Sequence, residues 1–431
     1  MIFRFSLYGF LKNQRYFEPF LLLALIQMGL SFFEIGLLIA FRELATNVME
    51  IPSGAIADLY GRRKSMILSF SAYIVGFLIF GFAGSVTPLF GAMFFLAVGD
   101  AFRTGTHKAM IFTWLRLQGR SDERTKVYGF TRSWSKIGSA ISALVAAGFV
   151  LATDSYTLVF FFATVPYAMN IVNFLGYPVE LEGEKDGNPS PREVLAHLRG
   201  AFGNAFGLKP LRRLTLESMA FEGVFHAVKS YLQPVLVVLA VSLASSYAVG
   251  GDLSDVQRSA LLVGPVYFVL HLLSSAASRN AHRIATLAGG EDRAARWIWA
   301  AHTAVFALTL AAGWWEITGA LIVAFVLMHV LQDMWRPVLM ARFDSYGDEG
   351  EAATVLSIES QAQRFATMLL APAIGLAIDT TQGSAVGGPF WPIGAVGLVV
   401  GLIFFATSAV ATKPSSEPST ELLAETSAAS S

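Results

Sequence analysis

The stretch Gly54-Ala55-Ile56-Ala57-Asp58-Leu59-Tyr60-Gly61-Arg62-Arg63-Lys64 joins two apolar runs, and the rest of the chain is read outward from it. Gly54 and Gly61 permit close helix approach and a tight turn. Asp58 stands at a helix end, where an arginine from a neighbouring helix or loop can pair with it. The run Arg62-Arg63-Lys64 is of the kind that anchors a loop at the cytoplasmic face of a membrane.

Apolar runs like the two that flank this stretch recur along all 431 residues. Hydrophobic residues make up 54% of the chain and charged residues 14%, with a mean hydropathy of +0.56. Soluble domains carry about 25% charged residues, so a soluble globular enzyme is excluded on composition. Lys+Arg and Asp+Glu are 31 each. That balance argues against nucleic acid as a partner, which selects for basic excess. There is no cysteine, hence no disulfide, thiolate metal site or cysteine nucleophile. At about 20 residues per span the length holds roughly 12 spans. The first apolar stretch carries Arg15 and Glu18 and ends without a cleavage pattern, so it reads as a retained membrane helix.

Helices are expected at about 7–28, 34–57, 65–85, 88–114, 126–152 and 156–176, and again at about 211–242, 256–278, 294–312, 317–341, 352–379 and 390–411. The domain division is a six-helix bundle over 1–176, a cytoplasmic linker over 177–210, a second bundle over 211–411 and a disordered tail over 412–431. Within the linker, Pro191 to Phe206 suits either a surface amphipathic helix or a plain connection. Arg and Lys gather in alternate loops, among them Arg116, Arg120, Arg124 and Lys126 and later Arg279, Arg283, Arg293 and Arg296, while Arg258 alone breaks the pattern. The positive-inside rule then places both termini in the cytoplasm.

The motif from Gly54 to Lys64, preceded by Glu50-Ile51-Pro52-Ser53 and set in a six-loop-six layout, resembles the loop 2–3 signature of the major facilitator superfamily (MFS) of secondary transporters, bacterial type. The resemblance covers the whole chain. It implies an all-α membrane protein of twelve transmembrane helices in two bundles, with a substrate site between them near mid-membrane. It also implies that Gly54, Asp58, Gly61 and Arg62 are conformational, holding a closed inside gate. Departures exist. The loop from Ser278 to Arg296 lacks the aspartate of the repeated pattern, and the fifth helix, around Gly138 to Gly148, has no Gly-Pro pair such as drug:proton antiporters of the family often show.

Charge inside the membrane is expensive, about 2.5–3.5 kcal/mol per residue, yet this chain carries much of it. On a continuous fourth helix, Asp100, Arg103 and His107 fall within an arc of about 60°, with Lys108 beside it. Arg103-Thr104-Gly105 is similar to the family's functional arginine ahead of a glycine. Asp100 and Arg103 could equally be a self-neutralising pair. On the first helix Glu18 lies three residues from Arg15. A mid-membrane carboxyl can hold a proton while dry and release it when the cavity wets, which suits Glu18 to proton coupling; a salt bridge to Arg15 or Arg103 is the alternative. Glu43, Asn47 and Glu50 share a face of the second helix. Glu222, His226 and Lys229 share one on the seventh, and His329, Gln332, Asp333 and Arg336 lie within about 100° on the tenth. In the family, helices 1, 4, 7 and 10 line the central cavity.

The expected site therefore has Arg103, His107, Lys108, His226, Lys229, Gln332 and Arg336 binding substrate, and Glu18, Asp100, Glu222 and Asp333 handling the proton. Interior cations of the first half (Arg15, Arg42, Arg103, Lys108) outnumber its acids (Glu18, Glu43, Asp100) by one. The second half, with Lys229, Arg336 and Arg364 against Glu217, Glu222, Asp333 and Glu359, reverses the sign. Such a bipolar cavity suits a small polar solute, anionic or zwitterionic.

No histidine pair has ligand spacing on one helix, so no metal and no cofactor is expected. No phosphate-binding loop, no serine-nucleophile context at Gly138-Ser139 and only an echo of an aspartyl-protease motif at Gly99-Asp100 are present, so no enzyme is expected. The partners expected are a small-molecule solute, the lipid bilayer and a proton or other coupling ion, in a multi-pass cell (inner) membrane protein. Two alternatives stay open: proton-coupled multidrug efflux, and a non-transporting receptor or lipid scramblase on the same fold.

Overall fold

The computed structural model describes residues 1–182, 209–247, 252–344, 352–383 and 387–408, without the side chains of 51–52, 54–60, 125, 209–210, 245–247, 344 and 352–357. Among the described residues the chain is helical and has no strand. The first half comprises α1 (Ile2–Lys12), α2 (Leu21–Gln27), α3 (Phe32–Tyr60), α4 (Arg62–Phe82), α5 (Val86–Arg103), α6 (Thr106–Leu117), α7 (Arg124–Thr153) and α8 (Leu158–Leu175). The second comprises α9 (Lys209–Val228), α10 (Leu232–Tyr247), α11 (Asp255–Ala288), α12 (Glu291–Trp314), α13 (Thr318–Asp344), α14 (Ala352–Thr381) and α15 (Trp391–Ser408).

Nine segments among the described residues are long and apolar enough to cross a membrane, α5–α6 and α9–α10 each counting as one. The remaining helices are α1, α2, α3 and α14. Singly, α1 and α2 fall short of a bilayer's width. Charge interrupts the apolar runs of the other two, at Arg42, Glu43 and Glu50 in α3 and at Glu359 and Arg364 in α14. The twelve-span count and the cytoplasmic termini are thus expectations of the sequence. The expected linker helix over Pro191 to Phe206 and the expected tail lie outside the described residues, as do the side chains of the gate residues Gly54 and Asp58.

Three of the rods expected to be continuous are broken, and this corrects the sequence reading. Instead of one helix over 7–28, α1 ends at Lys12 and α2 begins at Leu21. The freed backbone groups find partners: Tyr167 donates to the Lys12 carbonyl at 3.2 Å, and Gln233 both donates to the Glu18 carbonyl at 2.8 Å and accepts from the Leu22 amide at 2.9 Å. A broken helix is tolerated at membrane depth only where such partners exist. The second break falls at Gly105, whose φ of +76° a residue with a Cβ rarely adopts. The third is the 3-10 turn Lys229–Tyr231 between α9 and α10.

The halves meet closely along α3 and α14. A Cβ at Gly36 would stand 2.5 Å from the Ala371 carbonyl oxygen, and one at Gly375 would stand 2.2 Å from the Phe32 carbonyl oxygen. Only glycine allows backbones this close. Asp379 caps the start of α3 from the other half, accepting from the amides of Phe32 at 3.0 Å and Phe33 at 2.8 Å. Nearby, Tyr156 and Ser259 hydroxyls lie 2.5 Å apart, Gln257 donates to the Leu151 carbonyl at 2.8 Å, and Ser254 bonds Asp154. All these contacts lie at the end that the distribution of Lys and Arg places outside the cell. The halves are closed against each other there.

Candidate functional site

Asp100, near the end of α5, is gripped from three sides. Arg42 of α3 donates to one carboxylate oxygen at 2.6 Å, while Tyr73 at 2.5 Å and Arg103 at 3.2 Å donate to the other. One carboxylate is thus shared by two arginines. The pairing of Glu18 is with Arg15, at 3.7 Å. The second break ends the shared face expected for Asp100, Arg103 and His107. Beyond Gly105 the chain restarts as α6, and His107 turns into an aromatic cluster. Its ring stacks on Tyr8 at 3.7 Å between centroids and its Nε2 lies 3.3 Å from the Tyr177 hydroxyl.

Two polar cavities result. The larger, of about 440 Å³, lies between α1, the α5–α6 break and α7. Lys12, Arg103, His107, Lys108, Arg132 and Lys136 line it together with Thr104, Gly105, Ser135 and Ser139. No Asp or Glu lines it among the described residues. Lys108 and Arg132 are exposed, Lys12 and Lys136 partly buried. Lys108 lies over the rings of Phe112 at 5.5 Å and Tyr128 at 5.8 Å, and Lys12 over Tyr8 at 5.6 Å. Such contacts hold cations without neutralising them. Thr104 and Gly105 bring the first turn of α6 to the cavity wall, and a helix N-terminus carries partial positive charge.

The smaller cavity, of about 270 Å³, lies deeper between the halves. It is bipolar: Arg15, Arg42, Lys229 and Arg364 face Glu18, Glu43 and Asp100, with His226 and Ser230 beside them. Arg364 reaches Glu43 across the halves at 3.9 Å.

A third group lies behind these cavities in the second half. Glu222 is 1% exposed. One of its oxygens accepts from Gln332 at 3.1 Å and lies 3.6 Å from His226 Nε2. The other has no hydrogen-bond partner among the described residues. Arg336 forks onto the buried Glu359 at 2.6 and 3.1 Å, and Ser218 also donates to that carboxylate. Asp333 points the other way and reaches Lys136 of the basic cavity at 3.7 Å.

Of the expected binding residues, then, Arg103, His107 and Lys108 share the larger cavity and His226 and Lys229 the smaller, whereas Gln332 and Arg336 line neither. The four expected proton residues are dispersed: Glu18 and Asp100 in the smaller cavity, Glu222 in the second-half network and Asp333 turned to Lys136 of the basic cavity. Lys12 and the Arg42–Asp100 pairing were missed. A lysine three residues before Arg15 at the rim of an apolar run was the available signal for the first. At the expected gate, Gly61 has φ +95° and opens α4, and Arg62 donates to the Thr113 hydroxyl at 3.0 Å.

Comparison with known proteins agrees with this architecture. A curated relative, "Uncharacterized MFS-type transporter YxaM" of Bacillus subtilis (strain 168), is 26% identical over 247 residues, covering 54% of this chain and 59% of that protein. "Probable sulfoacetate transporter SauU" of Cupriavidus necator is 32% identical over 128 residues, 29% of this chain and 28% of that one. The chain therefore spans less than two thirds of the length of either. The solved structure of the nucleoside transporter NupG superposes with a TM-score of 0.72 at 10% identity, covering 95% of this chain and 97% of that one, and shares the fold. Residues 13–291, more than half of the sequence, match the family model described as Major Facilitator Superfamily, and the chain belongs to that family.

Proposed function

We propose that the protein is a secondary transporter that moves a small organic anion across the cell membrane by alternating access, coupled to protons. The observation that carries this reading is the basic cavity: five Lys or Arg side chains and a histidine around about 440 Å³, with no carboxylate lining it among the described residues. Clustered like charges repel strongly where water is scarce, so such a cavity is built for an anionic occupant. Arginine and lysine from four helices, together with the amides of the first turn of α6, supply converging donors. A lipophilic cation would meet repulsion from every side, which disfavours multidrug efflux. The likeness to a protein named as a sulfoacetate transporter supports an anion, over the quarter of the chain that it covers.

In this reading the two halves, 1–176 and 211–411, rock about the deeper bipolar cavity, whose wall holds the Arg42–Asp100 pair, with Arg103 joining Asp100 to the basic cavity. Glu222 carries the proton. Among the described residues it is the buried acid of the set that contacts no arginine or lysine within 4.0 Å, and one of its oxygens is unpartnered. Its contact with His226 gives the proton an exit towards the smaller cavity, which His226 lines.

The test uses proteoliposomes containing a trapped pH-sensitive dye and challenged with pools of organic anions, amino acids, sugars and cationic drugs. Anion-triggered proton flux that falls at least tenfold in Arg103→Ala is expected. In Glu222→Gln, anion exchange is expected to persist while proton flux is lost. Flux with cationic drugs that survives Arg103→Ala would overturn the anion reading in favour of efflux, and lipid movement without any gradient would favour a scramblase.

A further inference from the structure

We infer that the basic cavity takes an organic dianion: two anionic oxygen groups, carboxylate, sulfonate or phosphate, on a short spacer. This rests on the anion reading above and narrows it. The reasoning concerns which of the cavity's charges are already answered by the protein. Arg103 shares Asp100 with Arg42. Lys136 has Asp333, from the other half, at 3.7 Å. Lys12, Lys108 and Arg132 have no carboxylate within 4.0 Å among the described residues and are held only by ring faces or by solvent. At least three cations are thus unanswered, and the first turn of α6 adds to them. One negative charge leaves most of that excess in place, whereas two remove most of it.

The cations also come from separate elements: Lys12 from α1, Arg103 and Lys108 from opposite sides of the Gly105 break, Arg132 and Lys136 from successive turns of α7. That arrangement presents donors at several points around the cavity instead of at one, so two separated anionic groups can each find a pair of cations. A single carboxylate cannot reach them all. The Asp333 contact has the same meaning: with one carboxylate supplied by the second half, Lys136 still sits in a cavity of unbalanced cations. Apolar contact along the spacer is available from Phe5, Tyr8 and Ile111, which line the same space.

The test measures binding to the purified full-length protein by calorimetry at pH 7.5 in 0.15 M salt, using pairs matched in size: butyrate against succinate, ethanesulfonate against sulfoacetate, and diethyl phosphate against 3-phosphonopropionate, with propanol and propylammonium as neutral and cationic controls. A dianion should bind at least tenfold more tightly than its monoanionic partner. That advantage should shrink to less than threefold in Lys12→Gln and in Arg132→Gln, each of which removes one unanswered cation without touching an ion pair. Comparison among the three dianion types identifies which headgroup chemistry is preferred. Dianions and monoanions that bind within threefold of each other overturn the dianion inference and leave the anion reading standing. Binding of neutral or cationic solutes with none of any anion, or no binding in any series up to 10 mM, overturns both.

Discussion

Replacing Asp379 by alanine should open the protein to the outside. Its carboxylate accepts from the Phe32 amide at 3.0 Å and the Phe33 amide at 2.8 Å, across the junction of the halves. Both donors are unpaired amides at the start of α3, where a negative charge is favoured. A hydrogen bond to a charged group contributes about 1.5–3 kcal/mol when sheltered, and loss of a helix N-cap costs about 1 kcal/mol. Asp379 is only partly buried, which lowers the sum to about 2 kcal/mol. In an outward-open state the halves separate there and the bonds do not exist. Their loss therefore destabilises only the closed-outside state, and at 1.4 kcal/mol per tenfold the ratio of outward-open to closed-outside molecules should rise about 30-fold.

The absence of cysteine from the sequence makes this measurable without background. Ser230 lines the deeper cavity between the halves. A single Ser230→Cys change should react with a membrane-impermeant maleimide from the outside only when the outer end is open. The labelling rate from outside should rise at least tenfold when Asp379→Ala is added, and the rate from the cytoplasmic side should fall. A rate unchanged within twofold, in vesicles where the double variant is folded and inserted, would refute the idea that these two bonds help hold the outer end shut.

The same logic applies to other points in the molecule. Gly375→Val would push a branched side chain into the Phe32 carbonyl, which a bare Cβ already approaches to 2.2 Å; it should open the outer end as strongly as Asp379→Ala, and equal Ser230→Cys labelling with and without it would count against close packing as the lock. Asp100→Asn leaves Arg42 and Arg103 without their shared charge and should destabilise the protein by about 3 kcal/mol, read as a lowered unfolding midpoint in detergent. Arg342, buried between Glu217 at 2.5 Å and Asp292 at 2.9 Å, should behave in the same direction but more weakly: Arg342→Gln leaves the buried Glu217 with Arg213 alone, at 2.8 Å, and should lower the midpoint by less than Asp100→Asn, whereas Arg120→Gln, at a surface pair with Glu123, should leave it nearly unchanged. Gly105→Ala forces a Cβ into a left-handed conformation at about 1–2 kcal/mol and should weaken anion binding severalfold by shifting Thr104 and the start of α6, with a normal unfolding midpoint expected to within a few degrees.

What could be read in the sequence, and what could not, follows from which physical rules are local. The helical class and the family follow from hydropathy and from the Gly54–Lys64 stretch, because membrane insertion acts on contiguous residues. Rod continuity was the assumption that failed. Arg15 and Glu18, Gly105, and Lys229 each mark a break, and each break lies where intramembrane charge is densest. Periodicity carried through Gly105 puts Asp100, Arg103 and His107 on one face; the positive φ there turns the later pair away, so that Arg103 meets Lys108 and Lys12 across a cavity instead of along a helix. The pairing of Asp100 with Arg42 joins residues 58 apart, and no spacing rule reaches that far.

The breaks and the charges have one cause. Ending a helix inside the membrane frees backbone groups that need partners, and Gln233 and Tyr167 supply them from other elements. It also exposes helix termini whose partial charges face the cavity. Such an arrangement is costly to maintain in a static structure, where continuous apolar rods would be more stable. It is useful where one wall must present cations to a solute in one state and withdraw them in another, because a rod that is already broken can change direction at the break without losing further hydrogen bonds. Of the three breaks, two bear directly on the basic cavity, through Lys12 and Arg103, and the third places Lys229 and Ser230 in the deeper one. In the proposed mechanism the residues that bind the solute and the joints about which the walls turn are the same short segments, so substitutions there should change affinity and conformational balance together, unlike those at the outer contact, which should change the balance alone.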